Sequence, residues 1–384
     1  MSRLPLLAAL LIAGGVAGAA PYVPADDERV VETLPAGLRP PPRGLPLGAA
    51  LAHAQEAIAA ARRSGDPRWL GSARAVLTPW WAQADPPPGV RLLRATIRQS
   101  THAFGEALLD LDALLAPGRA VPPGVRAQAL LTRATVHQVR GDWAAARADC
   151  RLLQPLAPVP ATACLAELQG LAGRQDDARA AFDDLAAGIG DGEGARWLAV
   201  SRAELAERSG HGLQAEAHYR AALGLRARGE RPAPDADPYA LGAYADLLLD
   251  QRRAAEVPPL LQGRERVDGL LLRLALAWQQ LGEAARLRQA ATALQARFDA
   301  ARERGEQVHL REEARFELQV KGRAAVALAL ARADWAVQKE PADARLLWAA
   351  ALAAGEPSAA EPVRRFVREQ GLRDQRLAAA GAWP

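Results

Sequence analysis

A pattern of small and large apolar residues recurs along this chain with a spacing of roughly 34 residues, and it restricts the fold more than any other feature. Each copy has an alanine, a glycine turn, a second alanine and, four residues later, a larger side chain. Three copies show this plainly: Ala134, Gly141, Ala146 and Cys150; Ala166, Gly173, Ala178 and Phe182; Ala203, Gly210, Ala215 and Tyr219. The spacing predicts two amphipathic helices joined by a turn. Because one helical hairpin cannot bury its own apolar face, such units stack into a solenoid.

The pattern extends over residues 47–370 as about eight to nine helix pairs and is irregular near 229–304, where Arg252 replaces the turn glycine. Apolar residues make up 50% of the chain and aromatic residues only 5%, a mixture that favours close helix packing over a β-sandwich. We therefore predict an all-α fold, a right-handed superhelical solenoid of stacked two-helix repeats. Residues 371–384 are expected to form a C-terminal tail.

The first residues are typical of a secretory signal. Arg3 supplies a positive start, residues 4–16 supply a short apolar run, and Ala17-Gly18-Ala19 matches the small-residue cleavage pattern. We predict a cleaved signal peptide at 1–20, export to the periplasm and no integral membrane span after cleavage. A retained N-terminal anchor is the alternative. The proline-rich residues 21–46 are expected to form an extended arm or linker, or else a recognition tail.

The charge pattern argues against a nucleic-acid partner. The formal net charge is only +4, and acidic and basic residues alternate along the helices without a dense basic block. Arginine carries nearly all the positive charge, since Lys321 and Lys339 are the only lysines. Weak attraction to anionic envelope surfaces stays open.

The repeat resembles the tetratricopeptide family over residues 47–370. Small residues stand where that family's paired helices approach most closely, and Cys150, Phe182 and Tyr219 stand at its aromatic-preferring position. Pro155 and Pro341 end units, as prolines do in the family. The chain further resembles exported bacterial members of the family, a resemblance that supplies no activity. It implies a concave groove that binds a protein or peptide partner of unknown identity.

The register of that family predicts which side chains face the groove. They are Gln128, Thr135, Gln138, Trp197, Glu204, Glu207, Arg208, Tyr239, Asp246, His309, Glu312 and Phe316. This mixture of aromatic anchors and both charge signs suits a peptide or protein partner. Chaperone-tail receptors of the family carry a Lys/Asn/Arg clamp, but residues such as Leu131 and Thr135 stand at those positions here. The resemblance therefore does not imply that specialised function.

The segment 308–316 is the most polar candidate site. On a helix His309 would share one side with Glu312 and Glu313, a spacing that could hold a metal, but a third ligand is missing nearby. A ligand contact patch is one interpretation, and a solvated helix face with ion pairs is the other. No metal site is predicted.

Cys150 and Cys164 are the only cysteines and fall on helices that should be neighbours. In an oxidising compartment this placement suggests a disulfide. Two buried free thiols that fill core space are the alternative.

No catalytic elbow, phosphate loop, zinc motif or dinucleotide fingerprint occurs in the sequence, so neither an enzyme nor a cofactor is predicted. The sequence thus predicts a non-enzymatic exported scaffold that binds a peptide or partner protein in its groove. A module that binds an envelope polymer, either glycan or an anionic lipid surface, is the alternative.

Overall fold

The computed structural model describes Asp26, Glu28 and residues 44–227, 229–305 and 310–381. Within these ranges the regular secondary structure is helical, and there is no strand. No helix in these ranges combines the length and the apolar character needed to cross a bilayer. The predicted signal peptide (1–20) and nearly all of the predicted arm (21–46) lie outside the described residues, so both stay predictions.

The helices follow one another in antiparallel pairs. In chain order they are α1 (Leu47–Ser64), α2 (Arg68–Val76), α3 (Thr78–Trp81), α4 (Pro88–Ser100), α5 (Phe104–Leu115), α6 (Pro123–Val139), α7 (Trp143–Leu153), α8 (Pro158–Leu171), α9 (Gln175–Gly188), α10 (Glu193–Arg208), α11 (Gly212–Ala222), α12 (Pro238–Asp250), α13 (Val257–Leu261), α14 (Asp268–Leu281), α15 (Ala284–Glu303), α16 (Leu310–Gln319), α17 (Ala324–Val337), α18 (Pro341–Ala353), α19 (Glu361–Gln370) and α20 (Gln375–Ala379). Repeats 1 to 9 are α1/α2, α4/α5, α6/α7, α8/α9, α10/α11, α12/α13, α14/α15, α16/α17 and α18/α19. The predicted all-α solenoid of stacked two-helix repeats is confirmed.

Prolines determine where several first helices begin. Each occupies the first position of its helix, namely Pro88, Pro123, Pro158, Pro238 and Pro341. A proline fits there because the first helical N–H has no partner within the helix and the ring already holds a helical φ. The same residue type cannot continue the preceding helix, so it also separates the repeats.

The alanines predicted to bring paired helices together are buried. They expose at most 1% of their surface: Ala134, Ala146, Ala166, Ala178, Ala203 and Ala215. The larger residues that follow, Cys150, Phe182 and Tyr219, are buried to the same degree. A small residue on one helix thus makes room for a large one in the same pair, as dense packing requires.

The turn between the helices of a pair needs a residue in the left-handed conformation. Gly141 serves this purpose in repeat 3 with φ of 82°, and Gly282 in repeat 7 with φ of 73°. Among the described residues only two non-glycine residues have positive φ, His102 at 59° and Arg252 at 61°. They occupy the turns of repeats 2 and 6, as the sequence indicated for Arg252. A side chain in this conformation costs about 1 kcal/mol or more.

The turns of the first half (repeats 1–5) pack against the second half (repeats 6–9 with α20). A Cβ on the turn glycine would lie 3.2 Å or less from a side chain of the second half in four repeats: Gly65 from Val267, Gly141 from Phe366, Gly173 from Arg373 and Gly210 from Gln375. The turn glycines of repeats 7 to 9 meet no such neighbour within 4 Å: Gly282, Gly322 and Gly355. The turn glycines of the first half therefore lie against another part of the chain, whereas those of repeats 7 to 9 do not.

Backbone hydrogen bonds also join the two halves. Lys339 N donates to Val139 O at 2.7 Å, and Arg373 N donates to Leu171 O at 2.9 Å. Phe366 packs edge-on against Trp143 of repeat 3, with ring centroids 5.4 Å apart. The solenoid consequently closes on itself around a central space.

Residues 371–381, expected to be a tail after the solenoid, instead pack as part of it. Leu372 and Leu377 have no exposed surface. Asp374 accepts a hydrogen bond from Leu377 N at 3.0 Å and so caps α20, and Trp348 Nε1 donates to Ala380 O at 3.0 Å. The sequence around 371 does not reveal this packing because much of its partner surface lies in repeats 4 and 5.

Candidate binding cavity

The closed solenoid surrounds a cavity of about 3320 Å³. The first helix of every repeat, from α1 to α18, contributes residues to its wall. Pockets for drug-sized ligands usually measure about 300–1,000 Å³. The cavity therefore has room for a chain segment rather than only for a small molecule.

Most of the predicted groove residues line this cavity: Thr135, Gln138, Trp197, Glu204, Glu207, Arg208, Tyr239, Asp246 and Glu312. Trp197 exposes 47% of its surface and Tyr239 exposes 60%. Aromatic side chains that lose contact with water on binding are frequent anchors of protein interfaces. These two side chains are accordingly the main apolar contacts that the wall offers.

Two predicted groove residues do not line the described part of the cavity wall, and a third lies outside the described residues. Phe316 is wrong as a groove residue because it is fully buried and packs against Phe298 of α15, with ring centroids 5.6 Å apart. Gln128 is exposed near the start of α6, one turn before the first cavity residue of that helix, Leu131, and its contact with a partner stays a prediction. His309 lies outside the described residues, so its role stays a prediction.

Glu204 is at the centre of a polar cluster that joins three first helices. The hydroxyl of Tyr239 on α12 donates to Oε1 of Glu204 on α10. Arg208 donates to Glu167 of α8 at 2.9 Å and lies 4.0 Å from Oε2 of Glu204. Burial and the nearby Glu167 carboxylate raise the pKa of Glu204 to about 7, although Arg208 and Tyr239 oppose the change. Glu204 therefore titrates near neutral pH.

A second cluster ties the C-terminal segment to the wall. Arg376 lies 2.5 Å from Oε1 of Glu207 and 2.7 Å from Oδ2 of Asp250. The Tyr219 hydroxyl donates to Glu207 Oε2 at 2.7 Å. Burial raises the pKa of Glu207, and the positive charge of Arg376 opposes this effect. The cluster links repeats 5 and 6 to α20.

Asp246 differs from Glu204 because each of its two carboxylate oxygens lies close to a guanidinium group. Its oxygens lie 2.6 Å from Arg273 and 2.7 Å from Arg315. Burial alone would raise the pKa of Asp246, but these two guanidinium groups outweigh burial and lower it to about 2. Asp246 is thus a permanently charged structural link between repeats 6, 7 and 8.

A carboxyl pair lies buried between α17 and α18. Gln338 Nε2 donates to Asp334 Oδ1 at 3.0 Å, and Arg311 forms an ion pair with Asp343. Burial and the adjacent Asp343 carboxylate raise the pKa of Asp334 to about 9. Asp334 is therefore protonated at neutral pH and acts as a neutral partner of Asp343.

Cys150 and Cys164 are joined by a disulfide that connects α7 to α8, with their Cα atoms 6.0 Å apart. Cys164 also belongs to the cavity wall. Within the described ranges no group of three or more His, Cys, Asp or Glu residues is arranged to hold a metal ion.

Glu167 lines the cavity but was not among the predicted groove residues, although the sequence carries a signal for it. Thr135 and Glu204 each follow the close-packing alanine of their first helix, and Glu167 follows Ala166 in the same way. Applying one register to all repeats would have selected it. Arg376 could not be found this way, because it lies after the last repeat.

No protein-family model matches the sequence, and no curated protein matches it. Among solved structures the chain is similar to one in the crystal structure of the APC/C hetero-tetramer Cut9-Hcn1, with a TM-score of 0.42 and 11% sequence identity. The similarity covers 84% of this chain and 69% of the other. The helical-repeat architecture stands on the packing of the helix pairs themselves, and the likeness to the tetratricopeptide family stays a prediction.

Proposed function

We propose that the protein is a non-enzymatic scaffold that binds a peptide segment or partner protein in its central cavity. The observation that carries this proposal is the cavity of about 3320 Å³, to which the first helix of every repeat contributes. Its wall combines exposed aromatic side chains with carboxylates and guanidinium groups, a composition that suits protein recognition. Because helices surround the space, an extended segment enters it more readily than a folded domain.

The test places the photo-crosslinking residue p-benzoylphenylalanine at Trp197 or at Tyr239 in cells that make the protein. Leu109 and Leu213 are matched control positions, because they expose 71% and 78% of their surface and do not line the cavity. After irradiation, mass spectrometry of the products identifies the captured segment. The expected result is one segment captured from both cavity positions and from neither control, with capture prevented when the synthetic peptide is added in excess before irradiation. Crosslinks from the control positions alone would overturn the proposal.

We further propose that the protein is exported to the periplasm. The signal-like residues 1–20 support export, and so does the Cys150–Cys164 disulfide, since disulfides persist mainly in oxidising compartments. Mass spectrometry of the protein recovered from a periplasmic extract should give the mass of the chain without the signal peptide. A full-length chain retained in the cytoplasmic fraction would contradict this localisation.

An anionic envelope polymer or lipid surface is a second candidate ligand, favoured by four arginines. Arg62, Arg196, Arg231 and Arg266 line the cavity, are exposed, and form no ion pair within the described ranges. Screening by salt weakens attraction of this kind. Salt-sensitive sedimentation with cell-wall fragments or phosphatidylglycerol vesicles, lost when all four are glutamine, would support this candidate. Absence of sedimentation at low salt would exclude it.

A further inference from the structure

We propose that Glu204 and Tyr239 form a subsite for a basic side chain, arginine above all, of the segment bound in the cavity. This inference rests on the proposed function and specifies the chemistry that one position of the bound segment must have.

The carboxylate of Glu204 has one oxygen in use and one open. The hydroxyl of Tyr239 occupies Oε1. Oε2 accepts no hydrogen bond from the described part of the chain, and its ion-pair partner Arg208 is 4.0 Å away. That separation exceeds the length of a charge-assisted hydrogen bond, about 2.7–2.9 Å. Because the Glu204 side chain lines the cavity and is 24% exposed, Oε2 is available to a donor that enters the cavity.

Negative charge exceeds positive charge around this oxygen. Glu167 and Glu204 share the single guanidinium of Arg208, and Oε2 of Glu167 accepts no hydrogen bond within the described residues. Glu340, which also lines the cavity, adds a negative charge that acts on Glu204. Its own partner, Arg311, is shared with a further buried carboxylate. A cation that enters this part of the cavity therefore meets uncompensated carboxylate charge.

Tyr239 supplies the second contact. Tyr239 is 60% exposed as a whole residue and its hydroxyl is held by Glu204, so the ring lies beside the open carboxylate oxygen. A cation over the face of an aromatic ring is attracted by the ring quadrupole. Arginine fits both groups, because its planar guanidinium can stack on a ring while its N–H groups donate to a carboxylate. Trp197, on the same helix face as Glu204 and about 10 Å away, is placed to contact a neighbouring residue of the segment.

The groups that face Glu204 make this subsite sensitive to pH. Burial, Glu167 and Glu340 raise the pKa of Glu204, whereas Arg208 and Tyr239 lower it, and the result is a pKa of about 7. Glu204 is therefore mostly protonated near pH 6 and mostly ionised near pH 8. Binding of a cation should strengthen as the pH rises through this range.

The experiment uses the protein labelled with 3-fluorotyrosine, since the chain has only four tyrosines. The ¹⁹F signal of Tyr239 is assigned with Tyr239→Phe, and the signals of the buried Tyr219 and Tyr244 report whether the fold is intact. The protein is titrated with N-acetylarginine methylamide and, separately, with the isosteric but uncharged N-acetylcitrulline methylamide. We expect a saturable shift of the Tyr239 signal with the arginine probe, and an affinity at least about tenfold weaker for the citrulline probe.

Two glutamine variants complete the test. Glu204→Gln should weaken arginine binding by about tenfold or more and remove its dependence on pH. Glu369→Gln, a change at an exposed residue outside the cavity wall, should bind the probe as the parent does. Equal shifts with both probes, or unchanged binding in Glu204→Gln, would overturn the subsite. If crosslinking at Trp197 continued in that case, the scaffold function would stand without the arginine subsite. Arginine binding without any crosslinked segment would instead contradict the scaffold proposal.

Discussion

Replacing Gly141 with alanine tests whether contact between the two halves stabilises the closed solenoid. Gly141 has φ of 82°, and a Cβ at this position would lie 2.6 Å from Cε2 of Phe366. Phe366 is only 7% exposed and packs edge-on against both Trp143 and Trp335 at 5.4 Å. The ring therefore cannot turn away without disturbing the core between the halves.

Two energetic costs add when alanine replaces Gly141, and only the first of them applies at Gly282, which serves as the matched control. Alanine in a left-handed conformation costs about 1–2 kcal/mol, and overpacking against a buried ring costs about 1–3 kcal/mol. Gly282 occupies the equivalent turn of repeat 7 with φ of 73°, but a Cβ there has no neighbour within 4 Å. We expect Gly141→Ala to lower the free energy of unfolding by about 2–5 kcal/mol and Gly282→Ala by about 1–2 kcal/mol.

Urea unfolding followed by far-UV circular dichroism compares the two variants with the parent. Combining Gly141→Ala with Phe366→Leu should recover part of the extra loss, because the smaller side chain leaves room for the new methyl group. Equal losses for Gly141→Ala and Gly282→Ala, with no coupling to Phe366, would refute the contact between the halves.

Three further changes test other parts of the structure. Replacing Cys150 and Cys164 with serine should cost roughly 3 kcal/mol, and the parent unfolded without reductant should label no thiol. Since the pKa of Asp334 is raised from 3.8 to about 9, the free energy of unfolding should fall as the pH rises through this range. The unfolding midpoint of Asp334→Asn should vary less with pH than that of the parent. Arg376→Ala leaves Glu207 without its cation, which should cost about 2 kcal/mol and enlarge the radius of gyration measured by X-ray scattering; unchanged stability and size would contradict its bridging role.

The features predicted correctly from the sequence depend on residues close together in the chain. The spacing from Ala134 to Ala146 and the turn at Gly141 define a helical hairpin from within a single repeat. Arg252 could be placed in a turn for the same reason. The contact of Gly141 with Phe366 joins residues more than 200 positions apart, and no periodic pattern carries that information.

Cavity residues, too, were predicted correctly where the prediction depended on a single repeat and were missed or wrong where it depended on contacts between repeats. Trp197 and Glu204 were found because one face of α10 turns toward the axis of the solenoid. The prediction that Phe316 faces the groove was wrong because α16 packs its second turn against Phe298 of the preceding repeat. The family register therefore does not describe that helix. Arg376 follows the last repeat, and only the closed structure brings it to Glu207.

Closure changes how such a chain can fold and evolve. In an open array each repeat touches only its neighbours, so folding can start anywhere and repeats can be lost or gained singly. Here the carbonyl of Leu171 receives its hydrogen bond from Arg373, a residue about 200 positions later in the chain. Bringing such distant residues together is entropically costly and slow, so the contact between the two halves forms late in folding. Deleting one internal repeat would shift every later helix away from the first-half turn that it contacts. Closure therefore restricts the number of repeats.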